Sequence, residues 1–257
     1  MGDLPGAPAL DDDELLRYSR QLLLAGFDVA GQEKLRAARV VVIGAGGLGS
    51  PVCLYLAAAG IGELVIVDHD SVDLSNLQRQ IAHRTADLGR PKAASAADAC
   101  RALNPRIVVM PIIAQADAKL LATLVSAADC VVDCCDNFAT RAAVNRACHA
   151  ARVPLVSGAA VRMEGQLAVF DFRTAPTPCY ACLYGDMAGE DTGCARNGVM
   201  APLVGVIGSL QALAVIRLLA GYGESAHGTL TVFDGMRNAW RTLRIGADPA
   251  CPVCAQG

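Results

Sequence analysis

Hydrophobic residues in the first 150 positions form short runs, and the runs alternate with longer alanine-rich stretches. Continuous apolar runs of this length are typical of strands that are buried on both faces of a parallel sheet. The stretches between them are long enough to form the covering helices. The pattern predicts an α/β fold with strands at 39–43, 64–67, 107–112 and 130–132.

After residue 153 the pattern changes to two pairs of strands, each pair joined by a turn. The turns are expected at Glu164-Gly165 and Asp234-Gly235, since such residue pairs favour hairpins. A long apolar stretch at 203–220 is expected to form a helix packed between the two hairpins. The fold class predicted is therefore a Rossmann-like, mostly parallel sheet extended by antiparallel strands, with helices on both faces.

The chain is expected to form a single domain, since no proline- or serine-rich linker, repeat or low-complexity run divides it. It would comprise an N-terminal helical arm (14–36), a nucleotide-binding half (38–157) and a second half (158–257) with the antiparallel strands. An acidic run at 11–13 should start the helix of the arm, because acidic side chains favour helix N-termini. Arg17 and Arg20 have helical spacing and should project from one face.

Charge and composition exclude some classes of partner. The 257 residues carry a formal net charge of −3, which gives no electrostatic basis for binding nucleic acid or an anionic membrane. The acidic start lacks a secretory signal, so a cytoplasmic location is expected. The segment 200–221 is about as long as a membrane span, but it contains Gln211 and Arg217. We expect a buried helix there, because an arginine in lipid costs about 2.5 kcal/mol or more.

A glycine-rich motif follows the first strand. Gly44, Gly46 and Gly49 permit a tight turn, close approach of the backbone to phosphate and close packing of the next helix. Asp68, at the end of the second strand, suits a ribose hydroxyl. The motif alone does not distinguish NAD from ATP, and a plain tight turn is the alternative.

Polar residues after the second strand favour a triphosphate. Ser75 is the expected N-cap of a short helix, and one helix face should then carry Asn76, Arg79 and Gln80. Lys92 stands at or just before the next helix start. Cleavage of a triphosphate needs cations where negative charge accumulates, and Arg79 and Lys92 meet that need. A solvated basic face is the alternative for each.

The strand at 130–132 ends in two acidic residues, at the sheet edge where such folds bind ligands. Asp136 is the candidate ligand for magnesium (Mg), which prefers oxygen. Asp133 is expected to cap a helix or to bond the loop, and the same role is the alternative for Asp136. Asn137 is a further candidate for contact with the nucleotide.

The chain has 11 cysteines, and without an export signal they should be reduced. Cys179 and Cys182 form one CxxC pair, and Cys251 and Cys254 form a second. Two such pairs can supply the four thiolates of a closed structural zinc (Zn) site. Redox pairs or unligated thiols are the alternatives.

Cys194 lies in a polar, glycine-rich loop and is either a nucleophile for covalent transfer or a dispensable thiol. The remaining cysteines are expected to be small core residues: Cys53, Cys100, Cys130, Cys134, Cys135 and Cys148.

Together, the segments RYSRQ, GAGGLGS, DLSNLQRQ, GRPKA, DCCDN, the two CxxC pairs and NGVMAPLVGVIGSLQALAVIRLLAG resemble the MoeB/ThiF family, the bacterial relatives of ubiquitin-activating enzymes. The likeness runs in unbroken order from about residue 14 to 254. The segment SGAAVRMEGQLAVF is more similar to the MoeB branch, and no rhodanese domain is expected after Gly257.

The resemblance implies an adenylyltransferase that acts on a small ubiquitin-like sulfur carrier. The carrier's C-terminal Gly-Gly carboxylate would attack the α-phosphate of Mg-ATP, giving an acyl-adenylate and pyrophosphate. A sulfur donor, such as a cysteine desulfurase or a rhodanese, would then supply the thiocarboxylate. A terminal carboxyl of pKa about 3.5 is already ionised at neutral pH, so no general base is needed.

The resemblance also implies a role for each matching residue. Arg20 would reach the triphosphate of the other subunit, which implies a homodimer. Cys194 matches a cysteine that acts covalently in some members only. The remaining roles are support of the phosphate turn by Gly47, ribose binding by Asp68, phosphate binding by Asn76, Arg79 and Lys92, and magnesium binding by Asp136.

Four other functions stay open from the sequence. The nearest is adenylation of the thiamin thiazole carrier by a ThiF-type enzyme. The others are a tRNA threonylcarbamoyladenosine dehydratase, an NAD-dependent oxidoreductase and a zinc-stabilised interaction module. The acidic balance disfavours the RNA substrate, and the oxidoreductase leaves Arg79, Lys92 and the cysteine pairs unexplained.

Overall fold

The computed structural model describes residues 9–174, 177–185, 198–224 and 226–255. Within these ranges eight strands form one sheet in the order β3-β2-β1-β4-β5-β6-β7-β8. Strands β1 to β5 pair in parallel, and β5 to β8 pair antiparallel, which confirms the predicted sheet. The strands are β1 Arg39–Ile43, β2 Glu63–Val67, β3 Val108–Ile112, β4 Cys130–Asp133, β5 Leu155–Val161, β6 Glu164–Phe170, β7 Thr229–Asp234 and β8 Ala239–Arg244.

Helices cover both faces of the sheet, as the apolar runs predict. In β1, Val40 and Val42 face a core formed with α4, α5 and α9, whereas Val41 and Ile43 face a second core formed with α6 and α7. The helices are α1 Asp12–Arg17, α2 Ser19–Leu22, α3 Asp28–Ala37, α4 Gly49–Ala59, α5 Lys92–Leu103, α6 Ala118–Val125, α7 Phe138–Ala151, α8 Tyr180–Tyr184 and α9 Ala201–Ala220, with 3-10 turns at Leu74–Asn76 and Thr85–Asp87.

The N-terminal arm starts where the acidic run predicts, but it is not one continuous helix. The Asp11 side chain accepts from the Glu14 backbone N–H at 2.9 Å, and Glu14 accepts in return from the Asp11 N–H at 3.1 Å. The first helix ends before Tyr18, a buried residue outside helical geometry. Arg17 and Arg20 therefore lie on different helices, α1 and α2, rather than on one helix face.

The first hairpin turn is displaced from its predicted position. Residues 162–163 form the turn, with Arg162 at φ 54°, and Glu164-Gly165 already belong to β6. Gly165 serves packing instead, because a Cβ at this position would lie 2.4 Å from the Ile207 side chain of α9. The second turn begins after Asp234, as predicted.

Helix α9 packs against α4 and across β5 and β6, so the prediction that it lies between the two hairpins is wrong. Small residues allow the close approach: a Cβ at Gly208 would lie 2.5 Å from Pro51 of α4. The helix is long and apolar enough to cross a membrane by length and composition, and half of its most apolar window is buried inside the protein. Gln211 lies at the centre of the buried face.

Candidate active site

A cleft opens at the carboxyl edge of the sheet, where β1 lies between β2 and β4. The strand order reverses at this point, which is the usual position of ligand sites in open α/β sheets. The cleft brings together nine residues predicted from the sequence: Gly44, Gly46, Gly47, Asp68, Arg79, Gln80, Lys92, Asp136 and Asn137.

The glycine turn has the geometry that its sequence requires. Gly44 has φ +97°, and its N–H donates to the Val67 carbonyl at 2.8 Å. Gly49 begins α4, and a Cβ there would lie 1.9 Å from the Gly44 carbonyl oxygen. The turn therefore packs directly on the helix, whose N-terminus faces the cleft with the positive end of its dipole.

Asp68 fastens the turn to β2. One carboxylate oxygen accepts from the Ala45 N–H at 2.7 Å, and the other accepts from the Asp70 N–H at 2.8 Å. Each oxygen keeps a further lone pair. Asp68 can therefore hold the backbone and still accept from a hydroxyl in the cleft.

His83 holds the same turn, a role that the sequence did not predict. Its Nε2 lies 3.0 Å from the Ala45 carbonyl oxygen, and its Nδ1 lies 2.9 Å from the Ser95 hydroxyl. Burial lowers the pKa of this imidazole, so the neutral ring bridges the turn and α5. No local sequence signal marks His83, because both of its partners are distant in the chain.

Arg79 is oriented by the residues just before it. Its guanidinium donates to the Ser75 carbonyl at 3.2 Å and to the Asn76 side-chain oxygen at 3.1 Å. Ser75 is not the N-cap, contrary to prediction: Asp73 caps this 3-10 turn and accepts from the Ser75 N–H at 2.8 Å. Ser75 and Asn76 thus position Arg79 and are not part of the cleft lining.

Lys92 is the first residue of α5 and its side chain is buried. Its ammonium group donates to the Asp70 carboxylate at 2.8 Å, and this contact holds the pKa of Asp70 below its usual value. Asp70, two residues after Asp68, is a cleft residue that the sequence did not predict. An anion entering the cleft would compete with Asp70 for Lys92.

Gln80 is buried beside the glycine turn, and its Oε1 has no hydrogen-bond partner among the described residues. The Nε2 of the same amide lies 3.5 Å from the position of a Cβ on Gly46. A buried polar atom without a partner is costly. Its position in the cleft wall is consistent with a ligand or water completing the bond.

The loop after β4 carries two of the predicted residues. Asp136 is exposed in the cleft. Asn137 is the N-cap of α7, and its side-chain oxygen accepts from the Thr140 N–H at 2.8 Å. Asp133 is buried and accepts from the Cys135 N–H at 3.0 Å, so it bonds the loop as expected.

Arg141 is a buried cation that the sequence did not predict. One nitrogen lies 3.3 Å from the Asp133 carboxylate, and another donates to the Gly158 carbonyl at 2.8 Å and to the Cys135 carbonyl. The Ser157 hydroxyl donates to the same carboxylate at 2.7 Å. Arg141 thereby ties the loop after β4 to β5. The sequence signal that could have predicted this role is an arginine in the first turn of an alanine-rich helix that follows an acidic strand end.

The four CxxC cysteines converge away from the cleft, with their sulfur atoms all within 4.8 Å of one another. Cys179 and Cys251 are 3.6 Å apart, and Cys182 and Cys254 are 3.2 Å apart. Thiolates around one tetrahedral zinc would be about 3.8 Å apart, given Zn–S bonds of about 2.3 Å. The cluster joins the C-terminal segment to the region after β6.

The other predicted residues lie elsewhere. Arg20 is exposed on α2 and does not line the cleft of its own chain. Cys194 lies outside the described residues. The six cysteines predicted for the core are buried. Two of them, Cys134 and Cys135, also line the cleft, and burial raises the pKa of both thiols well above the usual value.

Comparison with known proteins agrees with this geometry. The ThiF family model matches residues 18–253. The chain is 49% identical to the molybdopterin-synthase adenylyltransferase of Escherichia coli K12, over 96% of this chain and 99% of that protein. It is 44% identical to the ThiS adenylyltransferase of the same organism, over 95% and 97%. The structure of E. coli MccB with ATP is similar with a TM-score of 0.79 at 27% identity, covering 93% of this chain and 74% of that one. The chain belongs to the ThiF family.

Proposed function

We propose that this protein uses ATP to adenylate the C-terminal carboxylate of a small ubiquitin-like sulfur carrier that ends in Gly-Gly, of the molybdopterin-synthase type. One observation carries the proposal: the glycine turn, Arg79, buried Lys92 and Asp136 all face a single cleft. The names of the two E. coli relatives give the class of substrate.

The order of the strands suggests how ATP lies in the cleft. Asp68 follows β2, the glycine turn follows β1, and Asp136 follows β4, so these groups face the cleft in that order. The ribose would bond Asp68, and the phosphates would lie on the glycine turn towards Asp136. The Gln80 Oε1 beside the turn, which has no hydrogen-bond partner among the described residues, is consistent with a bound ligand.

The residues supply positioning and positive charge rather than a base. Arg79 and Lys92 would stabilise the negative charge that develops as pyrophosphate leaves. Lys92 would exchange its contact with Asp70 for a phosphate oxygen. Asp136 fits magnesium, since an exposed carboxylate in the cleft is the type of oxygen ligand that this cation prefers. When bound, magnesium would neutralise phosphate charge.

The proposed active unit is a homodimer in which Arg20 of the partner subunit completes the site. Arg20 lies on a four-residue helix, and Leu16 and Leu23, close to it in the chain, are 76% and 75% exposed. Exposed leucines that flank a functional arginine are consistent with a protein contact there. We also propose that the four-cysteine cluster binds structural zinc, that Cys194 is the candidate for any covalent step, and that the enzyme is cytoplasmic.

The thiazole carrier is the second candidate substrate, because the relative named for it is only slightly less similar. A cysteine desulfurase or a rhodanese would act as sulfur donor for either carrier. The relative from Mus musculus that is named adenylyltransferase and sulfurtransferase MOCS3 shares 47% identity, and the chain spans 55% of its length.

ATP–pyrophosphate exchange tests the proposal. Exchange should require a carrier with an intact Gly-Gly end, and a carrier that lacks the final glycine is the control. Asp136→Ala should reduce exchange about 100-fold or more while leaving the fold intact. Asp98→Ala, an exposed acid on α5 that does not line the cleft, should retain it. Normal exchange in the Asp136 variant would contradict the magnesium assignment, and exchange without any carrier would contradict the substrate.

A further inference from the structure

Gln211 is a fully buried polar side chain on the apolar face of α9. Its Nε2 donates to the Asp133 carbonyl at 2.8 Å and lies 3.4 Å from the Val156 carbonyl oxygen. The Cys134 thiol faces its Oε1 at 3.9 Å. One side-chain amide thus contacts the backbone of both β4 and β5, close to where their pairing ends.

A polar side chain in this position is costly unless it is hydrogen-bonded. Pairing between β4 and β5 extends only to Asp133 and Ser157, and the chain then leaves the sheet to form the loop 134–137. A carbonyl oxygen at such a point has a second lone pair, which can accept from a donor outside the ladder. Gln211 supplies this donor to Asp133, so it serves the end of the strand rather than its own helix.

Gly158 makes room for this contact. A Cβ on Gly158 would lie 2.3 Å from both Cδ and Oε1 of Gln211. Gly158 does not have positive φ. A glycine is therefore required here because a side chain would not fit, and not because of the backbone conformation.

The loop that Gln211 holds is in contact with the glycine turn. The Cys134 N–H donates to the Ile43 carbonyl at 2.9 Å, and a Cβ on Gly44 would lie 2.9 Å from the Cys134 carbonyl oxygen. Asp136 follows two residues later and lines the cleft. A shift of the Asp133 carbonyl would therefore move Asp136 relative to the phosphate-binding turn.

We propose that Gln211 is a positioning residue for the magnesium-nucleotide site, acting from α9 through the loop 134–137. It fixes this loop from one face of the sheet, whereas Arg141 fixes it from the other. The inference rests on the proposed function in assigning magnesium to Asp136, but the hydrogen bonds of Gln211 can be tested without nucleotide.

Two variants remove the contact in different ways. Gln211→Met keeps a side chain of similar size without the donor, and Gly158→Ala displaces the amide by contact with the new methyl group. Val215→Ala is the control, because Val215 is buried one turn further along the same helix and its truncation loosens the core without touching the loop.

Hydrogen exchange measured by mass spectrometry on nucleotide-free protein gives the first readout. Amides at 134–137 should exchange about 10-fold faster in both variants, as expected for one lost hydrogen bond, and not in the control. The magnesium concentration that half-saturates pyrophosphate exchange should rise by a similar factor, about 10-fold, while the KM for the carrier stays within about twofold.

Faster exchange confined to these amides in both variants, with unchanged exchange in Val215→Ala, supports the inference. Unchanged loop exchange in Gln211→Met overturns it, as does an equal increase in Val215→Ala. Because this readout needs no reaction, a wild-type protein without pyrophosphate exchange would refute the proposed function alone.

Discussion

Replacing Arg141 with methionine should destabilise the protein strongly, because Arg141 balances a charge inside the fold. The Asp133 and Arg141 side chains are only 1% and 7% exposed and lie 3.3 Å apart. Methionine preserves much of the volume but leaves the carboxylate with two neutral donors, the Ser157 hydroxyl and the Cys135 N–H. It also removes a donor from the Gly158 carbonyl.

The expected loss is about 3–5 kcal/mol, the usual effect of removing one partner of a buried ion pair. For a chain of this size, 1 kcal/mol corresponds to about 2–4 °C in Tm. The melting temperature should therefore fall by about 6–20 °C. The double variant Asp133→Asn/Arg141→Met should lose less than the sum of the two single variants, because the pair is coupled.

Urea unfolding followed by circular dichroism measures the loss, and Arg237→Met is the matched control. Arg237 pairs with Asp234 at 2.9 Å, but its side chain is 78% exposed, so its removal should cost about 1 kcal/mol or less. If Arg141→Met and Arg237→Met lost equal stability, the buried ion pair would not be holding the end of β4.

Three further predictions concern other parts of the molecule. Cys182→Ser should lower zinc content and stability, whereas Cys130→Ser, at a buried thiol outside the cluster, should retain zinc; equal zinc content in both would contradict the four-thiolate site. Mixed dimers of Arg20→Ala and Asp136→Ala subunits should regain the pyrophosphate exchange that each variant lacks, because one of the two sites then has both residues. No recovery would mean that Arg20 acts in the site of its own subunit. Burial lowers the folded-state pKa of His83 below the ordinary value of about 6.5, so the unfolded chain binds more protons and wild-type stability falls as pH drops through this value. His83→Gln should lose less stability between pH 7.5 and 5.5 in urea titrations, and an unchanged pH dependence would show that the ring is not buried as a neutral group.

The sequence was sufficient to predict the parallel strands and most of the cleft. Gly44, Asp68 and Asp136 are far apart in the chain, but each follows a buried strand. The carboxyl ends of parallel strands share one edge of the sheet, so these residues had to meet there. Hydrophobic periodicity and the expected parallel sheet are therefore enough to predict where the cleft lies. The roles of these residues, and the division of the chain into arm and two halves, stay predictions.

Other features depend on tertiary contacts that no local pattern encodes. His83 and Gln211 bond backbone carbonyls of distant segments, so nothing near them in sequence marks their roles. The sequence pattern predicted Gly165 to be a turn residue, but a glycine is needed there because α9 packs too closely for a side chain. Tyr18 interrupts a helix that the sequence alone would continue, because its hydroxyl accepts from Asn104 in the core at 2.9 Å.

Isotope transfer tests the central claim most directly. A carrier labelled with oxygen-18 in its C-terminal carboxylate is incubated with ATP, magnesium and the protein, and hydroxylamine is added to trap the activated carbonyl. The account predicts one labelled oxygen in the released AMP and none in pyrophosphate, because the carboxylate oxygen attacks the α-phosphorus. Label in orthophosphate with ADP as product, or AMP without label, would contradict it.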